Sequence, residues 1–339
     1  MTCHGRGWHR RTTGQIRLDG PARLANLRAV QILNTLAPVF LMIAVGVGLQ
    51  KSGFVSENFL KEANRVTYWL GLPALLFSQL AGSFHHAGGA GLMLTAMLVA
   101  TLLVILAGYG VAALMHVPVA VAGTFVQGGF RGNLAFVGLP VIFSLPDSPL
   151  AWGVSARTAA VLTVAPMMVF YNIGGVVVLL LSQHRLGWSM VKPFVKQLAT
   201  TPPLLATLAG ITFALAGWTL PSFVDKTLTA LGDMALPLGL LGVGGSLVTV
   251  KLGANWRTPL ASALVKTFLS PLLGWMAGRA LGLGAAELRM LLILMACPTA
   301  IVSYTMALEL KGDEALASGA ISLSVLTSVV SLAVIVGAM

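Results

Sequence analysis

Two basic side chains stand inside long apolar runs of this chain. Arg131 lies in GGFRGNLAFVGLPVIFSL, and Lys266 on the stripe Ala263, Lys266, Thr267, Ser270, Gly274, Ala277. A cation at membrane depth costs about 2.5–3.5 kcal/mol on insertion scales and faces the bundle interior. It serves there to hold an anion, or to satisfy carbonyls at a helix end. Asn133 both donates and accepts, which suits a carboxylate or a freed carbonyl equally well. Acids are scarce by comparison: none occurs from 63 to 146, or between Asp147 and Asp225, and only Asp233 falls clearly within an apolar run. Asp233 is a candidate proton carrier or a residue at the mouth of its span. A cation pathway needs buried carboxylates or coordinating oxygens, so two cations against one carboxylate point to an anionic ligand.

The backbone around these residues carries its own signals. Pro140 removes a donor, frees the Phe136 carbonyl and pushes Leu139 out of the helical region, while Gly138 permits close approach. In LILMACPTAIVSYTM, Pro298 does the same to the Leu294 carbonyl and to Cys297. Irregular backbone at membrane depth is tolerated inside protein or beside a water-filled cavity. Two broken helices crossing there present half-helix N-termini with free N–H groups and partial positive charge, an anion site. The simpler alternative is that both prolines kink packed helices.

The elements that position these residues are long and apolar. The 339 residues are 57% hydrophobic and 9% charged, with mean hydropathy +0.88, against about 25% charged in soluble domains. Runs near 20 residues without alternation select helices over barrel strands. Ten spans are predicted: 32–49, 64–82, 90–115, 119–145, 156–182, 201–217, 226–250, 258–281, 288–309 and 314–338. Pro38 and Pro73 are 35 residues apart, as are Pro202 and Pro237, and the second pair follows the first by 164 residues. Pro298 follows Pro140 by 158. The chain thus divides into a tail (1–31), a five-helix repeat (32–182), a cytoplasmic linker (183–200) and a second repeat (201–339). An odd number of spans makes the second copy inverted, a design recurrent in secondary transporters. With their adjoining span ends, connections 1–2, 3–4, 5–6, 7–8 and 9–10 together carry nine Lys and Arg against four in the other connections, which places the first set inside and both termini outside.

Other chemistries find little support. No HExxH, GxSxG or P-loop occurs, the six histidines lie in the tail or in connections, and no nucleophile–base arrangement is visible, so no enzyme is expected. The spacings of zinc ligands are absent, and no cofactor or metal is expected. Residues 1–30 hold six arginines and one aspartate, +5 of the net +11. This tail has no apolar signal region and reads as a disordered segment or a start placed too far upstream. Without a basic patch interleaved with aromatics, nucleic acid is not an expected partner.

NTLAPVFLMIAVGVGLQKSGF, YWLGLPALLFSQLAG, FRGNLAFVGLPVIF, TPPLLATLAGI, ALPLGLLGVGGSL and CPTAIVSYTMALEL, in this order over 32–338, resemble the auxin efflux carrier family, including bacterial malonate and malate permease-like members. The resemblance implies two inverted five-helix repeats in an NhaA-like fold. Spans 1–2 and 6–7 would form the scaffold, and spans 3–5 and 8–10 the moving transport domain. It implies a substrate site at the crossover, mapping to Asn133, Gly138, Leu139 and Pro140 and to Cys297, Pro298 and Thr299. The basic tail departs from the family pattern. So does the lack of the long hydrophilic loop of the large plant members, which argues against auxin. The expectation is a secondary transporter or facilitator of a small organic anion, a mono- or dicarboxylate, in a bacterial inner membrane. Arg131, Lys266 and Asp233 would act electrostatically or in coupling, and a homodimer through the scaffold helices is an option. The competing readings are a cation/proton antiporter, a sodium-coupled organic-anion symporter on the same fold, and a membrane anion sensor that does not transport.

Overall fold

A computed structural model describes residues 20–81, 90–146, 149–150, 153–183, 202–249 and 255–338. The described residues are helical apart from turns and two isolated β-bridges. Helix α1 (Gly20–Lys51) starts within the segment assigned to the tail. Residues 1–19 of that tail and 184–200 of the linker lie outside the described residues. Then α2 (Glu57–Val66) runs through a π-helical turn, Thr67–Gly71, into α3 (Leu72–Ala81). There follow α4 (Ala90–Leu114), α5 (Val119–Phe130), a break, the π turn Leu134–Gly138 and α6 (Leu139–Ser144). Helix α7 (Ala156–Ser182) completes the first half. The second half holds α8 (Pro202–Leu215), α9 (Ser222–Thr249), and α10 (Arg257–Leu264) joined by the π turn Val265–Leu269 to α11 (Ser270–Ala280). It ends with α12 (Ala285–Ala296), a second break, α13 (Val302–Glu309) and α14 (Glu314–Ala338).

Six of the described helices are long and apolar enough to cross a membrane: Ile32–Lys51, Ala90–Leu114, Ala156–Ser182, Ser222–Val248, Arg257–Ala280 and Glu314–Ala338. The other predicted spans are built from shorter or interrupted helices. Caps explain several starts. The Ser56 hydroxyl accepts the Phe59 N–H at 3.1 Å, Ser155 that of Thr158 at 3.2 Å, and the Asp313 carboxylate that of Leu316 at 2.8 Å. Each satisfies a donor orphaned at a helix N-terminus. Leu106, Leu326 and Val334 are more than 60% exposed (68%, 65% and 62%) on apolar helices, an outward face that lipid suits and water does not.

Two groups of helices pack tightly. Helix α1 lies along α9, and α3 lies along α8 and α9. A Cβ at Gly46 would strike the Leu241 carbonyl, and one at Gly244 the Ile43 carbonyl. Glycine therefore sets how closely α1 and α9 approach, as small residues do between membrane helices. The second group joins α4, α5, α7 and α10 to α14, with α5 on α7, α10 on α14, and α11 on α4 and α12.

Candidate functional site

The two broken helices meet backbone to backbone. Gly132 and Thr299 form an antiparallel bridge, flanked by Asn133 N–H to the Pro298 carbonyl at 2.7 Å and Ala300 N–H to the Arg131 carbonyl at 2.9 Å. The groups released by each break thus satisfy one another, which pays for leaving the helix in a low-dielectric interior. The second break forms where Pro298 predicts it, and Cys297 takes φ −55°, ψ 145°, the extended conformation imposed on a residue before proline.

The first break corrects the sequence reading. The chain leaves the helix at 131–133, not at Gly138–Pro140. Gly138 closes the π turn, and Leu139 and Pro140 continue as helix in α6. The wider i→i+5 turn absorbs the donor missing at Pro140. The pairing with Thr299, a tertiary contact, extracts the chain earlier, beside Gly132. Asn133 then restarts the helix: its side-chain oxygen accepts the Phe136 N–H at 3.2 Å.

Arg131 takes φ −80°, ψ 94°, so residues 131–133 alternate as in a strand. Arg131 and Asn133 share one face and Gly132 turns to the other. An ideal Cβ on Gly132 would lie 3.0 Å from Lys266 Cε and 3.1 Å from Nζ. The two cations therefore sit on opposite faces of the crossing. Helical spacing would instead place Arg131 on a face with Ala135 and Gly138.

On one face, the fully buried Lys266 donates to the Met295 carbonyl at 2.6 Å and to the Ser270 hydroxyl at 3.4 Å, and Ser270 also donates to Met295 at 3.0 Å. The amine closes the C-terminal end of α12, where a cation is favoured by the helix dipole. The stripe read from sequence is buried throughout, from Ala263 to Ala277. The Thr299 hydroxyl donates to the Gly128 carbonyl at 2.7 Å, its N–H donates to Ser324 at 2.8 Å, and the buried Cys297 thiol donates to the Ile293 carbonyl at 3.1 Å. These groups hold the crossing together.

On the other face, the Arg131 guanidinium donates to the Asn172 side-chain oxygen and to the Met306 sulfur. Gln127 Nε2 lies 3.6 Å from the same sulfur. Gln127, Asn172 and Met306 were missed from sequence. The polar Gln127, at i−4 from Arg131, was the available signal. Neither Arg131 nor Lys266 has a carboxylate partner among the described residues. Asp233 lies exposed on α9, outside the buried crossing. The sequence reading also needs correction for Glu287, which lies inside α12, buried in its first turn, because that helix starts at Ala285 rather than 288.

Among the described residues no group of three or more His, Cys, Asp or Glu could hold a metal. A comparison with curated proteins found no match. A family model described as membrane transport protein matches residues 31–336, nearly the whole of the helical bundle. Membrane transport of small substrates, across a bilayer in which the chain is integral, follows from that match and from the apolar helices. The chain belongs to the membrane transport protein family, the family of the auxin efflux carriers.

Proposed function

We propose that this protein is a secondary transporter or facilitator of a small organic anion, a mono- or dicarboxylate, working by alternating access of the elevator type. The observation that carries the reading is the pair of buried cations at the crossing, neither facing a carboxylate among the described residues. A buried charge demands compensation. Lys266 finds it in a helix end, and among the described residues Arg131 finds only neutral partners. The N-terminus that Asn133 opens adds partial positive charge on the Arg131 face. A cation/proton antiporter would need carboxylates at this place.

The proposed architecture is ten spans in two inverted repeats. Spans 1–2 and 6–7 form the scaffold, spans 3–5 and 8–10 the transport domain, and the scaffold helices carry a homodimer. The close glycine packing of α1 on α9 supports a rigid scaffold. A cleft of about 450 Å³ lined by His116, Asn255, Thr258 and Asp313 gathers connections 3–4, 7–8 and 9–10 at one end of the bundle. Charge asymmetry assigns that end to the cytoplasm of a bacterial inner membrane, with both termini outside.

The test is uptake into liposomes reconstituted with the purified protein, using acetate, malonate, malate and indole-3-acetate, with and without sodium and a pH gradient. Saturable uptake of at least one is expected, reduced about tenfold or more in Asn133→Ala. Unchanged uptake in that variant removes Asn133 from the site. Binding without uptake of any of them would favour a sensor instead.

A further inference from the structure

We propose that Arg131 is itself the carboxylate ligand, and that the Met306 thioether occupies its guanidinium only until the anion arrives. The proposal rests on the transport reading above and names the group that does the binding. A guanidinium presents five donors in a rigid fork that matches a carboxylate in bidentate fashion. Here one terminal nitrogen is given to Asn172 and the other to a thioether, one of the weakest acceptors a side chain offers. Gln127 Nε2 converges on that same sulfur from 3.6 Å. Two donors aimed at one weak acceptor mark the place of a stronger one, and a carboxylate oxygen would accept from both.

A further observation points to a ligand. Gln127 is fully buried, and its Oε1 has no partner among the described residues. That oxygen calls for a donor, such as a ligand hydroxyl or a water accompanying the anion, while Nε2 faces the sulfur. Gly175 of α7 lets this cluster close against its backbone, so room for a carboxylate comes from displacing the Met306 side chain. A Cβ there would lie 2.8 Å from Gln127 Nε2, 3.0 Å from Met306 Cε and 3.4 Å from Arg131 Nη1. Methionine suits a temporary occupant, since it is unbranched with three rotatable bonds and swings aside without breaking a strong bond. It also sits on α13, the helix that starts just after the crossing, so arrival of the anion is felt directly by the second broken helix.

The test measures the thermal stability of the purified protein against rising malonate and acetate, because a ligand that binds the folded state raises it by mass action. Wild type should be stabilised in a saturable way. Arg131→Gln should lose at least about 30-fold in apparent affinity, the equivalent of removing one partner of a buried charge pair. Met306→Glu should lose a comparable factor, because a built-in carboxylate competes for the guanidinium. Met306→Leu, nearly equal in volume, should bind as well as wild type or several-fold more tightly, and it keeps the test decisive if the acid disturbs folding. Affinity in Arg131→Gln within about threefold of wild type would overturn the proposal, as would a 30-fold loss in Met306→Leu. Wild type that neither takes up nor is stabilised by any carboxylate sinks the transport reading. Stabilised wild type with Arg131→Gln unaffected sinks this proposal alone.

Discussion

The Lys266–Ser270 pair offers a sharp test of what the second cation does. Both side chains donate to the Met295 carbonyl, at 2.6 Å and 3.0 Å, so the end of α12 is held twice. Replacing Lys266 by Met gives up a charged hydrogen bond of about 1.5–3 kcal/mol. It also removes a fully buried amine whose desolvation costs several kcal/mol. The two nearly cancel, and Lys266→Met should change stability by no more than about 1 kcal/mol, because Ser270 still satisfies the carbonyl. Ser270→Ala alone should cost about 1 kcal/mol, one neutral hydrogen bond. The double variant leaves the carbonyl bare in a dry interior, which adds about 1–3 kcal/mol beyond the sum of the singles. The assay is reversible unfolding in mixed micelles of the four proteins of the cycle. Additivity within about 0.5 kcal/mol, the behaviour of independent sites, would refute the reasoning and show that Lys266 does not serve that helix end.

Two other substitutions probe the crossing from either side. Thr299→Val keeps the shape of the side chain but strips the Gly128 carbonyl of its 2.7 Å donor. It should cost about 1–3 kcal/mol in the same unfolding assay, while Thr299→Ser stays within about 1 kcal/mol of wild type. Gly239→Ala drives a methyl into the Phe136 ring, 2.9 Å from Cε1 and 3.0 Å from Cγ, where the crossing segment touches α9. Liposome uptake should fall about tenfold or more while malonate still stabilises the protein, and Phe136→Leu in the same chain should restore it.

Much of this was legible because lipid enforces it. Spans 156–182 and 314–338 match α7 and α14 residue for residue, since an uninterrupted apolar run has no other satisfied conformation at membrane depth. The break at Pro298 was legible because proline acts on its own neighbours. The break at 131–133 was not, because nothing local compels it. It forms when Thr299, far along the chain, supplies the partner, and only Gly132 hinted at the close approach. That single shift changed the register from helical to extended and moved Arg131 onto the face of Asn133. Met306 was illegible for a simpler reason: a methionine in an apolar helix reads as packing until a guanidinium is found against it.

The opposite placement of the two cations settles how each can be used. Lys266 sits at a helix C-terminus that carries partial negative charge and frees a carbonyl, so its charge is balanced within the fold. Withdrawing it for a ligand would leave that carbonyl to Ser270 alone and the partial negative charge of the helix end unanswered. Arg131 has no such balance: its partners are an amide oxygen and a sulfur, both neutral, and the nearby helix N-terminus repels it. A buried charge in that state lowers the free energy of whatever anion reaches it by more than any neutral donor set can. On the proposed reading, selectivity for anions over cations would follow from this charge, without a gate that inspects charge. The cost is an uncompensated guanidinium in the empty protein, which Asn172 and Met306 reduce by keeping its donors occupied.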